Sequence, residues 1–317
     1  MPLRLRVLST ARINYAVLGP AGALEGVEVV AVASRSPERA EAYAREHTIP
    51  RAHGSYEALM ADEGVDAVYV SAPNGLHAPW SRAALEAGKH VLCEKALSPR
   101  APEVEACVAV AERSGLVFTE AFMWRHHPQV ERLRELLAAE AVGPVRHVAA
   151  TFSFPLDRPE DPRWDSALDG GALLDVGCYC VSGVRLVAGE PERVAAEQVL
   201  APSGVDVRFA GLLRFPGGVT ASFDCAFDLP PRGRLEIVGA EGTITLDDPW
   251  HGRRPALVVQ RGDDVERAEV EAADPYRRQL EDFAAAVRAG RAPLLDGPEL
   301  VAQARALEAL LADAREG

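Results

Sequence analysis

The sequence predicts an α/β chain in two parts: an N-terminal Rossmann-type, doubly wound parallel sheet and a C-terminal α+β domain with an open, largely antiparallel sheet. Three observations carry this. Through Ala121, short continuous apolar runs alternate with helical patterns, as expected of strands buried on both faces between crossover helices. From Val194 to Val270, strand-like runs are joined by hairpin turns, Pro216-Gly217-Gly218, Ala240-Glu241-Gly242 and Arg261-Gly262-Asp263-Asp264. The 317 residues suffice for two domains, expected at residues 1–121 and 122–317.

In chain order, Leu3–Leu8 reads as the first strand, because its tight alternation with arginine cannot form a signal-peptide core. No apolar run approaches the roughly 20 residues of a membrane-spanning helix, so a cytoplasmic location is expected. Further strands are expected at Val27–Ala33, Ala67–Ala72, Lys89–Cys93 and Leu116–Ala121. Ser36-Pro37-Glu38 opens a helix, with a capping hydroxyl, a proline at the first helical position and an acid that favours the dipole. From Pro102 a second helix carries Val104, Cys107, Val108 and Ala111 on one face and stops at Gly115. A polar helix near Pro128–Ala139, a long strand at Val145–Phe154 and a loop at Leu156–Asp169 precede a helix bearing Asp175 and Tyr179. Helices near Pro275–Ala289 and Pro298–Ala314 end the chain.

Composition narrows the function. A formal net charge of -13 argues against nucleic-acid or anionic-membrane partners, which need a basic face. Five cysteines form no regular framework and read as reduced, buried small hydrophobes. Cys178 and Cys180 are two apart on a helix and point in different directions, as do His126 and His127, so no metal site is expected.

The residues that carry chemistry sit at the strand ends. After the first strand, Ser9-Thr10-Ala11-Arg12-Ile13-Asn14 stands where a dinucleotide loop places G-x-G-x-x-G, and all three glycines are missing. Small residues and a helix N-terminus remain, with Ser9 strained if its φ is positive. At the end of the second strand, Ser34 and Arg35 replace the acid that binds the ribose of NAD, and Arg39 follows one turn on. A hydroxyl and guanidinium groups suit a 2′-phosphate, hence NADP. Asn74 and His77 follow the fourth strand, and Glu94 and Lys95 the fifth, on the same sheet edge. Asp175 and Tyr179, four apart, share one helix face, so both can act on one small volume. A phenol there can exchange a proton with a substrate alcohol when a cation favours its ionised form, and Lys95 is a candidate cation.

The run Lys89-His90-Val91-Leu92-Cys93-Glu94-Lys95 resembles the glutamate–lysine–proline signature of the glucose–fructose oxidoreductase/inositol dehydrogenase (Gfo/Idh/MocA) family. Ser9 to Ile13, Ala33-Ser34-Arg35, Pro73 to His77, Glu120 to Arg125 and Gly170 to Tyr179 resemble its branch of D-xylose and dimeric dihydrodiol dehydrogenases. The resemblance implies the same two-domain fold and bound NADP. It also implies a homodimer or higher homo-oligomer made through the open sheet faces of the second domain. Its lysine corresponds to Lys95, its acid/base tyrosine to Tyr179 and the accompanying aspartate to Asp175. Cofactor contacts fall on Ser9, Thr10, Ala11, Arg12, Ile13, Ser34, Arg35, Arg39, Asn74, His77, Glu94 and Lys95. The departures are Ser9 and Asn14 for glycine or a small residue, Ala96 for the proline and Asp169 in the first place of a glycine triplet.

The expected activity is hydride transfer between NADP and a sugar or polyol-like alcohol or carbonyl. Tyr179 would be the acid/base and Lys95 would stabilise the alkoxide. Asp175 would orient the lysine or the substrate, or make a structural hydrogen bond at the helix start. Arg125, His126, Arg163, Trp164 and Asp165 would supply a polar pocket, with Trp124 or Trp164 stacked on a sugar or buried in the core. Two alternatives stay open: a degenerate NADP-binding sensor or partner protein, and an aldose–aldose oxidoreductase with tightly held NADP.

Overall fold

Leu5, Val7 and Leu8 are buried on both faces of the first strand, which makes it the centre of a sheet. The computed structural model describes residues 2–316 and groups them in two compact units. The first takes the chain through Met123 together with Tyr276–Val301; the second takes Trp124–Pro275 and the chain from Ala302 onward. The sequence reading assigned Tyr276–Val301 to the second domain.

In the first unit, β1 (Leu3–Leu8), β2 (Val27–Ala33), β3 (Arg51–His53), β4 (Ala67–Val70), β5 (His90–Cys93) and β6 (Phe118–Glu120) are all parallel, in the order β3-β2-β1-β4-β5-β6. The crossovers are α1 (Tyr15–Ala23), α2 (Pro37–Glu46), α3 (Tyr56–Met60), α4 (His77–Glu86) and α5 (Ala101–Ser114). Ser36 caps α2 by accepting from the Arg39 amide, and Gly115 ends α5 in the left-handed region at φ +64°. The strand order reverses between β1 and β4, and ligands of such sheets bind outside the carboxyl ends at that switch point. Leu280, Phe283, Ala284 and Ala286 join Leu3, Leu5, Val7 and Tyr69 in one core. They lie on α8 (Pro275–Ala289), which therefore returns to the first unit.

The second unit holds α6 (Pro128–Ala138), β7 (Val145–Ser153), α7 (Cys178–Ala188) and the strands β8 to β14 (Arg193–Leu200, Asp206–Arg214, Thr220–Ala226, Arg232–Gly239, Thr243–Leu246, Ala256–Arg261 and Asp264–Glu269). Its sheet runs β14-β13-β12-β11-β7-β10-β9-β8, antiparallel except for the β7/β10 pair. α7 packs across β7, β10 and β11. The helical stretch Ser166–Ala188 is long and apolar enough to cross a membrane, but its most apolar part is mostly buried inside the protein, as a core helix is. The last helix, α9 (Gly297–Glu316), contributes Gln303, which donates to Cys178 O at 2.9 Å and accepts from Arg185 at 2.8 Å.

Candidate functional site

Ser9 follows β1 at the switch point with φ +146°, a conformation that non-glycine residues adopt at a cost of about 1–3 kcal/mol. Its Oγ lies 2.8 Å from Ser71 Oγ and 3.0 Å from Ser71 O, and it accepts from the Ala11 amide at 3.0 Å. Asn14 donates to Ser9 O at 2.9 Å and accepts from Ser71 Oγ at 2.6 Å. All three side chains are buried. The two polar departures from the glycine loop, Ser9 and Asn14, thus bond to each other and to Ser71 at the end of β4. Arg12–Asn14 forms a short 3₁₀ turn that runs into α1, so the amides of Arg12 and Ile13 open a helix N-terminus beside Thr10 and Ala11.

At the end of β2, Ser34 is buried and accepts from the Ser36 amide at 3.3 Å. Arg35 and Arg39 are exposed, and among the described residues no carboxylate lies within ion-pair distance of either. Arg39 reaches Thr10 Oγ1 at 3.5 Å, which ties α2 to the loop after β1. Burial raises the Tyr56 phenol above its ordinary pKa, and Arg35 and Arg39 oppose that shift, so both guanidinium groups act on the same locality. The Ser34 hydroxyl and the Arg35 and Arg39 guanidinium groups give this strand end the groups a phosphate needs, and the nearby Glu38 carboxylate is held by Ser36 Oγ at 2.7 Å.

The loops after β4 and β5 are pinned together. His77 is buried, with Nδ1 2.8 Å from Ala96 O and Nε2 2.6 Å from Ala72 O. It therefore joins the turn after Lys95 to the end of β4. The Lys95–Ala96 peptide is cis. Glu94 is buried and accepts from the Tyr69 hydroxyl at 2.5 Å, while Glu120 accepts from the Leu97 amide at 2.9 Å. Burial, with the Glu94 charge, pushes the Tyr69 phenol well above its usual range. Lys95 is half-buried at this edge, and Asn74 lies in the 3₁₀ turn Asn74–Leu76 ahead of α4.

In the second unit, Gly170 and Gly171 open the helix that bears Asp175 and Tyr179. A Cβ on Gly170 would collide with Arg163 O, and one on Gly171, at φ +119°, with the Asp206 carboxylate. Asp206, at the start of β9, accepts from the Leu173 amide at 2.7 Å and also bonds the Ala172 amide. It therefore satisfies orphan donors of the helix start from across the unit. Burial pushes its carboxyl up to about 7 against these amide bonds. The loop before the helix is tied on as well. Arg163 O accepts from the Gly171 amide at 3.0 Å, and Arg163 Nε pairs with Asp175 at 2.9 Å.

The helix begins as a π-turn over Leu173–Gly177, with the Cys178 amide reaching Leu173 O five residues back, before α7 continues as an α-helix. Asp175 lies inside the wide turn and Tyr179 just beyond it. Both are buried. Asp175 raises the Arg163 guanidinium above its ordinary pKa, and Asp161 and Tyr179 add to this, so one cation serves both residues. Tyr179 packs edge-on against Phe152, with ring centres 5.4 Å apart, and tilted against Trp250 at 6.0 Å. Trp164 packs on Phe227, and Trp124 is buried against Trp250.

Sequence reasoning placed Ser9 to Ile13, Ser34, Arg35, Arg39, Asn74, His77, Glu94 and Lys95 on one sheet edge, and the structure sets them at or just beyond the carboxyl ends of β1, β2, β4 and β5. It missed Ser71 as a partner of the loop, and it missed Asp206. A lone aspartate 33 residues beyond Leu173 leaves no periodic signal. Arg163 was named for a polar pocket; its pairing with Asp175 was not foreseen. All five cysteines are buried and unbridged.

Comparison with known proteins matches residues 10–122 to an oxidoreductase family with an NAD-binding Rossmann fold, and residues 130–245 to the GFO/IDH/MocA C-terminal domain. A D-xylose 1-dehydrogenase (NADP(+)) of Haloferax volcanii is 41% identical, with 98% of this chain and 97% of that protein covered. A trans-1,2-dihydrobenzene-1,2-diol dehydrogenase of Sus scrofa is 38% identical over 75% of this chain and 71% of its own. The crystal structure of a 3-ketoreductase from Actinomadura kijaniata, in complex with NADP and TDP-benzene, superposes with a TM-score of 0.94 at 32% identity. It covers 99% of this chain and 98% of its own.

Proposed function

Since this chain belongs to the GFO/IDH/MocA family of oxidoreductases, we propose that it is an NADP-dependent enzyme that interconverts a sugar or polyol-like alcohol and its carbonyl. The observation that carries the cofactor choice is the end of β2, where Ser34, Arg35 and Arg39 gather and, among the described residues, neither guanidinium is ion-paired to a carboxylate. These groups take the 2′-phosphate, and the Arg12 and Ile13 amides face the pyrophosphate at the helix start. NADP, when bound, accepts or supplies hydride at nicotinamide C4.

The chain's own residues manage the proton. In the oxidative direction the substrate hydroxyl loses its proton to the ionised phenol of Tyr179 as its carbon loses hydride; reduction reverses both transfers. Lys95 donates to the reacting oxygen and stabilises the alkoxide that develops there. Asp175 holds Arg163, a cation within electrostatic reach of Tyr179. D-xylose is the first substrate to test, from the likeness to the Haloferax dehydrogenase. The outer face of the second sheet, where Leu212 is 63% exposed, is where a homo-oligomer would form.

Tyr179→Phe, assayed with NADP and a panel of aldoses led by D-xylose, is expected to lower turnover by about 10²–10⁴-fold. NADPH affinity, read by fluorescence titration, should stay within about twofold, because the phenol belongs to the proton path. Turnover equal to that of the parent protein would remove Tyr179 from the mechanism.

A further inference from the structure

We propose that Ser9, Asn14 and Ser71 are positioning residues for the dinucleotide: their ring of hydrogen bonds holds a serine in a backbone shape natural only to glycine. Cofactor affinity then depends on Asn14 and Ser71 because position 9 is serine. This rests on the NADP reading above.

The ring has a fixed direction. The Ala11 amide donates to Ser9 Oγ at 3.0 Å, and Ser71 Oγ donates its only hydrogen to Asn14 Oδ1 at 2.6 Å. The Ser9 hydroxyl hydrogen must therefore point to Ser71, to Oγ at 2.8 Å or O at 3.0 Å. Asn14 Nδ2 closes the ring by donating to Ser9 O at 2.9 Å, which also fixes which way its amide is turned. The three side chains are buried, so each bond lost leaves a polar group with no water to replace it.

Ser9 receives support at both ends, through its Oγ and through its carbonyl, and these are the groups that set its φ of +146°. Without Asn14, the Ser9 carbonyl and the Ser71 hydroxyl lose partners, and the serine is free to turn toward an ordinary φ. That turn would swing the amides of the loop away from the pyrophosphate. A glycine at position 9 holds the same φ without help, so loss of Asn14 should then matter little.

The test is a double-mutant cycle on the full chain with Ser9→Gly, Asn14→Ala and the double variant, read by NADPH titration and by the thermal midpoint without cofactor. Asn14→Ala is expected to weaken NADPH binding about tenfold or more in the serine background and less than about threefold in the glycine background. The melting midpoint should follow the same pattern. Equal losses in both backgrounds, or none in either, would overturn the ring. If Asn14→Ala fails to fold, recovery of the fold in the double variant supports the proposal, and Ser71→Ala, paired with Ser9→Gly, replaces it if recovery fails. Equal losses there overturn it. A parent protein that binds no NADPH overturns the cofactor role, and the melting cycle then decides the ring alone.

Discussion

After β1 the chain turns through a serine at φ +146°, whereas ahead of the helix that bears Asp175 and Tyr179 it turns through Gly171 at φ +119°. Both positions demand a conformation that L side chains rarely adopt. Only one kept its glycine, and the surroundings explain why. The Ser9 side chain has room and finds partners, so the demand is conformational and hydrogen bonds offset its finite cost. The place of a Gly171 side chain is filled by the Asp206 carboxylate, so the demand there is for space. A conformational cost can be met by neighbours; a volume already occupied by a buried, hydrogen-bonded group cannot.

The largest effect should come from filling that volume. Gly171→Ala is expected to cost more than about 4 kcal/mol in denaturant unfolding, since it adds overlap with Asp206 to an unfavourable φ. A loss below about 1 kcal/mol would erase the contrast with Ser9.

The second effect concerns the group that fills the space. Burial raises the Asp206 carboxyl from 3.8 to about 7 in the folded protein, so folding strengthens its hold on the proton. Its contribution to stability is therefore full below about pH 4 and is lost as pH rises to about 7, by at most about 4 kcal/mol. Unfolding curves of the parent and Asp206→Asn should diverge in slope across that window, and superimposable pH profiles would show that Asp206 does not titrate there.

The smallest effect marks the edge of the comparison, where chemistry and not backbone shape decides. Arg35→Ala should weaken NADPH by about tenfold or more and NADH by less than about twofold, since it removes a charge-assisted contact to the 2′-phosphate. Equal losses for the two cofactors would mean that Arg35 does not read that phosphate.

Much of the fold was legible because long apolar runs permit few alternatives. β2 and β4 read as buried strands; β4 is buried throughout, and β2 is buried except at Glu28 and Val29 near its start. The three-residue β3 and five-residue α3 carry too few residues to show a period, and neither was foreseen. The four-residue spacing of Asp175 and Tyr179 was visible, but the π-turn around Asp175 was not, since no residue type demands it. That a serine in place of the loop glycine would be strained at a positive φ was legible; that its φ is positive, and that Ser71 helps to hold it, was not.

The sequence by itself determined the parallel sheet, the loss of the loop glycines, the absence of an acid from Ser34 to Ser36 and the pairing of Asp175 with Tyr179 on one helix. These are local properties, set by residue type and spacing along a few turns of chain. Only the tertiary structure decided that Arg6 in β1 lies fully buried and pairs with Asp62 at 2.9 Å. It likewise decided that α8 returns to the first core, that Arg163 pairs with Asp175 and that Asp206 anchors the helix start. Each joins segments far apart in the chain, and a buried polar group takes whichever partner packing brings within reach, which no local pattern records.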